Sequence, residues 1–280
     1  MAYMTILVHC NDKKRVGRIV GAAVEVAERF QAHLVGLSVS PPVLVVPAGV
    51  PATPDTMMID ERAQVYRRDN PAMKAAFQAA VDGKTLTSEW REEDAGTSTI
   101  ADVVIRRARA ADLIVAAQRD WQWSVSAELD VGDRLAVAAG RPVLMVPNEG
   151  VHSGTGSRIV VAWNGRREAT RAAFDALPLL QQAKEVKVLW IDPPSEGEDA
   201  GTSAATDLCA ALARHGITCE AVAAASDGNV GATLLSRVIE HRADLLVMGC
   251  YGHSRLSELV FGGATRHILK HMAIPVLMSH

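Results

Sequence analysis

No run of apolar residues in this chain is long enough to cross a bilayer. The opening "MAYMTILVHCNDKK" is too short in apolar residues for a secretory core, so a cytoplasmic protein is expected. A basic excess is missing as well. The 29 Lys and Arg stand against 32 Asp and Glu, a formal net charge of −3, which gives no reason to expect a nucleic-acid partner. Cysteine is scarce. Cys10, Cys209, Cys219 and Cys250 show no C-x-x-C spacing and no zinc pattern, so no disulfide framework is read and a reducing compartment is expected. Aromatics are few, at 4%. What remains is a globular composition, 49% hydrophobic and 22% charged, over 280 residues, enough for two ordinary domains or one large one.

An internal repeat covers nearly the whole chain. "TILVHCNDKKRVGRIVGAAVEVAERFQAHLVGLSVSPP" aligns with "RIVVAWNGRREATRAAFDALPLLQQAKEVKVLWIDPP" from Arg158, placing Asn11 opposite Asn164. "ADLIVAAQRD" from Ala111 aligns with "ADLLVMGCYG" from Ala243, and "RPVLMVP" matches "IPVLMSH". The first copy carries extra residues after its second strand, whose prolines predict a loop and then a longer, interrupted helix. "PNEGVHSGTGS" between the copies reads as a linker. The domains are therefore expected at 1–147 and 158–280, joined by 148–157.

Each copy alternates strand and helix. In the second, strands are expected near Ile159–Trp163, Val186–Ile191, Thr218–Ala223, Leu245–Gly249 and Pro275–Met278. Continuous Val, Ile and Leu without alternation suit a sheet covered on both faces. Ala169, Ala172, Ala173, Ala176 and Leu180 recur at helical spacing, as do Val16, Ile19, Val20, Ala23, Ala27 and Phe30 in the first copy. The fold class is α/β: two tandem doubly wound domains, each a five-stranded parallel sheet flanked by helices.

Ligands of such sheets sit beyond the carboxyl ends of the strands. There the second copy has "GCYGHSRLSELVFGGATRHILKH", from Gly249 to His271. Gly249 and Gly252 are able to take positive φ and admit a phosphate close to the main chain. Gly262 and Gly263 precede a helix whose free N–H groups favour an anion. By spacing alone, a phosphate cradle and a tight turn with close packing stand level.

The spacing Gly249-x-x-Gly252, nine residues, Gly262 resembles the ATP-binding signature G-x-x-G-x9-G-(S/T) of the universal stress protein family. "IVVAWNG", "VLWIDPP" and "HILKHMAIPVLMSH" resemble that family's first strand and turn, second strand, and last helix and strand. The resemblance implies a tandem member with the adenine nucleotide α-hydrolase-like fold and ATP or AMP as ligand, with Mg²⁺ as a companion ion. It implies that Gly252, His253, Gly262, Gly263, Ala264 and Thr265 line the phosphates and ribose. Ala162, Trp163 and Ile191 would border the adenosine, with Met248 and Gly249 as the floor. Asn164 stands where the family usually has Asp, and Gly263 where it has Ser or Thr; these lose a charge and a hydroxyl donor. The resemblance also implies a homodimer paired through edge strands and a protein partner that reads nucleotide state.

In the first copy Gly249, Gly252, Gly262 and Gly263 become Ala117, Asp120, Asp130 and Val131. Bulk and carboxylates replace room for phosphate, so that domain is expected to be degenerate. Trp121 and Trp123 in "RDWQWS" are expected in buried packing or a domain contact. His267 and His271 share a helix face but have no third ligand placed by spacing. Ser254 and Ser257 lack a nucleophile elbow and read as hydroxyl donors or caps, and Cys250 as an inert small residue or an oxidisable thiol. No Walker loop or base–nucleophile pair is present, so slow ATP hydrolysis is the most enzyme chemistry expected, with Arg255 and Arg266 the nearby cations. Two other classes compete: an interaction scaffold with a vestigial site, and a redox- or metal-responsive protein acting through Cys250 or the histidines.

Overall fold

The structure, a computed structural model, describes residues 2–42, 54–122, 131–150, 154–192, 201–251 and 263–280, with backbone alone over 54–62 and 201–203. The chain divides into two compact units, Tyr3–Ala139 and Gly140–His280, the latter including the first two residues.

The unit Tyr3–Ala139 runs β1 (Thr5–His9), α1 (Val16–Phe30), β2 (His33–Ser40), α2 (Pro54–Val81), β3 (Ser88–Asp94), α3 (Ile100–Ala108), β4 (Leu113–Ala117) and α4 (Gly132–Ala138). Its strands lie in the order β3-β2-β1-β4, all parallel. Central strands β1 and β4 are continuously apolar and buried, because helices cover both sheet faces. β3, "SEWREED", is charged and half exposed, which suits an outer strand. On α1 the six apolar positions read from the sequence are all buried. Thr99 starts α3 with a capping box, its hydroxyl accepting the Asp102 N–H while the Asp102 carboxylate accepts the Thr99 N–H. The predicted interruption of the long helix is absent: α2 continues through Pro71.

The unit Gly140–His280 contains β5 (Val143–Val146), β6 (Arg158–Trp163), α5 (Arg167–Asp175), a short α6 (Leu177–Leu180), β7 (Glu185–Ile191), α7 (Gly201–Ala213), β8 (Glu220–Ala224), α8 (Val230–Glu240), β9 (Leu245–Gly249), α9 (Gly263–His271) and β10 (Val276–Ser279). The strands of the second sequence copy lie in the order β8-β7-β6-β9-β10, all parallel. The order reverses between β6 and β9, which opens a crevice at their carboxyl ends. Ala169, Ala172 and Ala173 bury one face of α5, but helix α5 stops at Asp175 and resumes as α6, with Pro178 in the first turn.

One strand departs from the expected all-parallel arrangement. β5, the last strand of the first sequence copy, runs antiparallel along β10, with Met145 opposite Val276, Leu144 opposite Leu277 and Val143 opposite Met278. Pairing between the copies was expected, and here it lies inside this unit. β10 therefore has β9 on one side and β5 on the other, so its edge is not open to a second chain as the dimer expectation required. Among the described residues no helix is long and apolar enough to cross a membrane.

Leu144 is 1% exposed in this pairing. Leu144→Ala is expected to lower the unfolding free energy by about 3 kcal/mol in urea titration. Amide exchange should quicken in β10 and stay unchanged in β1 and β2.

Candidate functional site

A cavity of about 760 Å³ occupies the crevice at the carboxyl ends of β6, β7 and β9. Its walls follow from the topology. β6 ends in Ala162, Trp163 and Asn164, β7 in Ile191 and Asp192, and β9 in Met248 and Gly249; α9 begins at the cavity with Gly263, Ala264 and Thr265. Nine of the twelve residues named from the sequence thus line one space: Ala162, Trp163, Asn164, Ile191, Met248, Gly249, Gly263, Ala264 and Thr265. Gly252, His253 and Gly262 lie outside the described residues, as do Ser254, Ser257 and Arg255.

Of the two readings that spacing left level, Gly249 makes the close packing contact. It has no positive φ, and a Cβ there would sit 2.4 Å from the carbonyl carbon of Glu168 and 2.5 Å from the amide nitrogen of Ala169. The missing side chain admits the backbone of α5. This contact draws the first turn of α5 to the end of β9 and carries Glu168 to the cavity wall. Gly231 acts similarly on α8. A Cβ there would meet the His267 Cβ at 2.8 Å and the Ala264 carbonyl oxygen at 3.1 Å, so its absence lets the start of α9 settle beside the cavity. The free N–H groups of that helix start are suited to an anion.

The polar groups are largely preset. Asn164 Oδ1 accepts the N–H of Arg166 at 3.1 Å, closing the turn after β6, and among the described residues the amide nitrogen has no protein acceptor. Trp163 Nε1 is buried without a partner among the described residues. Gly165, at φ +69°, makes the turn under which the Trp190 ring is tucked, 3.3 Å from where a Cβ would stand. Thr265 is buried, and its Oγ1 accepts the Tyr251 N–H at 3.5 Å, so this hydroxyl anchors the start of the glycine segment. Asp192, at φ 50°, accepts the N–H of Ser226 at 2.7 Å and the Ser226 hydroxyl; these bonds hold its carboxyl below the usual range and tie the end of β7 to the loop after β8.

Arg166, Glu168, Trp190, Asp192, Gly228, Asn229 and Tyr251 also line the cavity and were not named from the sequence. Asp192 stands in "VLWIDPP", beside the chosen Ile191, and was within reach of that signal. Gly228 and Asn229 carried none, because their strand lies two places from β6.

The other candidates separate clearly. Cys250 is fully buried, and burial, with the Glu168 carboxylate nearby, pushes its thiol up to about 12. That supports its inert reading. The rings of His267 and His271 lie 4.6 Å apart, and His267 Nδ1 is 3.5 Å from Asn229 Nδ2. Burial and the charges of His271 and Lys270 lower the His267 imidazole. Among the described residues no group of three His, Cys, Asp or Glu stands ready for a metal.

At the matching edge of the unit Tyr3–Ala139 a buried arginine stands. Arg15, which the repeat places opposite Glu168, is 7% exposed; its Nε donates to Asp12 at 2.5 Å and its guanidinium also donates to the Gln118 carbonyl at 2.9 Å. The buried guanidinium thus ties Asp12, after β1, to the carbonyl that follows β4. Ala117 replaces Gly249, and Val131 is buried at the start of α4. Asp130 and Trp123 lie outside the described residues. Trp121 is not buried packing as expected: it is 46% exposed, with the Arg119 guanidinium 4.3 Å over its ring.

Residues 157–280 match the model of the Universal stress protein family. The whole chain shares its fold with a universal stress protein from Archaeoglobus fulgidus, at 16% identity and TM-score 0.66 over 98% of this chain and 95% of that one. A functionally unknown protein from Pseudomonas aeruginosa (16%, 0.58, 99% and 92%) and a putative universal stress protein from the same species (15%, 0.56, 99% and 93%) are similar too. No curated protein sequence matches the chain.

Two outcomes follow from these contacts. Gly249→Ala sets a methyl group against helix backbone that cannot swing aside. It is expected to destabilise by about 1–3 kcal/mol in urea titration. In the other unit, burial and the Arg15 charge lower the buried His9 imidazole from 6.5 to about 4, with Asn11 acting against them. The unfolded chain then takes up the proton first, so stability is full above pH 6.5 and is lost as pH falls towards 4. The loss is on the order of 3 kcal/mol. Urea titrations from pH 7.5 to 4.5 should show a shallower decline for His9→Gln than for the unsubstituted chain.

Proposed function

We propose that the universal stress protein domain at residues 157–280 holds an adenine nucleotide, ATP or AMP, in the cavity at the ends of β6, β7 and β9, and that its occupancy is the signal this stress-related protein passes to a partner. The observation that carries the reading is the convergence of nine residues, named through the resemblance to the universal stress protein family, on one cavity large enough for a nucleotide.

The adenosine would lie against Ala162, Trp163 and Ile191, with the Asn164 amide and the Trp163 indole N–H as donors. Its phosphates would turn towards Gly263, Ala264 and Thr265 at the start of α9, and towards Gly252, His253 and Gly262. The Glu168 carboxylate suits Mg²⁺, an oxygen-seeking ion that would offset repulsion between carboxylate and phosphate. Nucleotide-dependent order of the loop from Cys250 to Phe261 would carry that signal; its residues 252–261 lie outside the described residues. The unit that holds Arg15 serves as a structural companion without a nucleotide. Any homodimer would use a surface other than β10.

Denaturing the purified protein should release ATP, ADP or AMP, identified by mass spectrometry, and calorimetric titration should show heat of binding. Gly252→Asp, which copies Asp120, is expected to weaken ATP binding at least tenfold. No released nucleotide and no heat at millimolar ATP would leave the cavity vestigial and the protein an interaction scaffold. Unchanged affinity in Gly252→Asp would place the phosphates elsewhere.

A further inference from the structure

Cys209 and Cys219 have no motif spacing in sequence, yet the fold sets them side by side. α7 buries Ala205, Leu208 and Leu212 towards β7 and β8, and Cys209 lies half-buried beside that face. The helix ends in a tight reversal. Gly216, at φ +78°, donates to the Ala213 carbonyl at 2.9 Å, and the Ile217 N–H to the Leu212 carbonyl at 3.2 Å. Ile217 is buried and pins the returning chain. From Ala213 back to Cys209 is about 6 Å of helix, and from Gly216 to Cys219 about 10 Å of extended chain, so the returning segment draws level with Cys209. The two side chains end close enough for the thiols to act on one another. Both are free thiols, half-buried and open on one side to solvent. Cys10 and Cys250, by contrast, are fully buried, and burial pushes the Cys250 thiol up to about 12.

We propose that Cys209 and Cys219 form a reversible intramolecular disulfide that fastens α7 to the start of β8, a redox-modification site separate from the cavity. The oxidant class is a low-molecular-weight disulfide such as oxidised glutathione. Cys209, as thiolate, attacks one glutathione sulfur; the glutathione S–S bond breaks and one glutathione leaves with the electron pair. Cys219 then attacks Cys209 Sγ in the mixed disulfide and expels the second glutathione. Two protein thiols are oxidised and one glutathione disulfide becomes two glutathione thiols, the two protons passing from cysteine to glutathione sulfur. Burial and the Cys209 contact push the Cys219 thiol up to about 12. Cys219 sits at the amino end of β8 and the cavity at the carboxyl ends of the strands, so the inference does not depend on what the cavity holds.

The test treats the full chain with excess oxidised glutathione, quenches with acid, alkylates and digests with trypsin. Arg214 lies between the two cysteines, so they fall on separate peptides that only a disulfide joins. The expected result is that joined pair, from protein that stays monomer-sized on a non-reducing gel, and its loss on adding dithiothreitol. In Cys219→Ser the Cys209 peptide should instead keep one glutathione. Recovery of Cys209 and Cys219 on unlinked peptides, alkylated or singly glutathionylated, would overturn the proposal. So would a linked pair found only in cross-linked dimers.

Discussion

The bare Cα of Gly249 against the peptide between Glu168 and Ala169 is the contact on which the C-terminal unit's site depends. It brings the end of β9 and the first turn of α5 closer than any side chain would allow. Glu168 thereby becomes a wall of the cavity, and the chain leaving β9 is aimed towards α9. Gly231 repeats the device between α8 and α9. Two absent methyl groups thus fix where three helices meet the sheet edge. The polar groups there, Asn164, Asp192 and Thr265, are held by backbone N–H groups and arrive oriented before any ligand does.

The two halves of the chain make the same edge and use it differently. Position for position, Glu168 on the cavity wall corresponds to Arg15, buried between Asp12 and the Gln118 carbonyl. An ion pair and a backbone acceptor satisfy that guanidinium, so it is a stable occupant. The sequence comparison located the loss of the site in the four replaced glycines. The fold adds a buried arginine from the helix start at that edge.

Much of this was legible in the sequence where the physics is local. Continuous Val, Ile and Leu in β6 and β9 mark strands buried on both faces, and the alanine spacing in α5 marks its buried side. The cavity residues at strand ends could be named because a parallel sheet delivers its carboxyl ends to one edge. Contacts made through space could not be read. A four-residue apolar strand such as β5 carries no information about direction, so its antiparallel course beside β10 was hidden. Asn229 reaches the cavity from two strands away, and Cys209 meets Cys219 only because a turn at Gly216 folds the chain back. At Gly249 spacing left phosphate room and close packing level, and only the fold shows the packing contact.

The pairing of β5 with β10 also bears on how the molecule comes into being. About 130 residues separate Leu144 from Leu277, so β5 emerges from the ribosome long before its partner strand exists. Loop closure over that span is slow compared with local strand pairing. The first sequence copy therefore finishes synthesis with an apolar strand still waiting for β10. Cutting the protein at the boundary between its two repeats would part β5 from the compact unit it belongs to. β10 is thus a closing element for a strand made long before it.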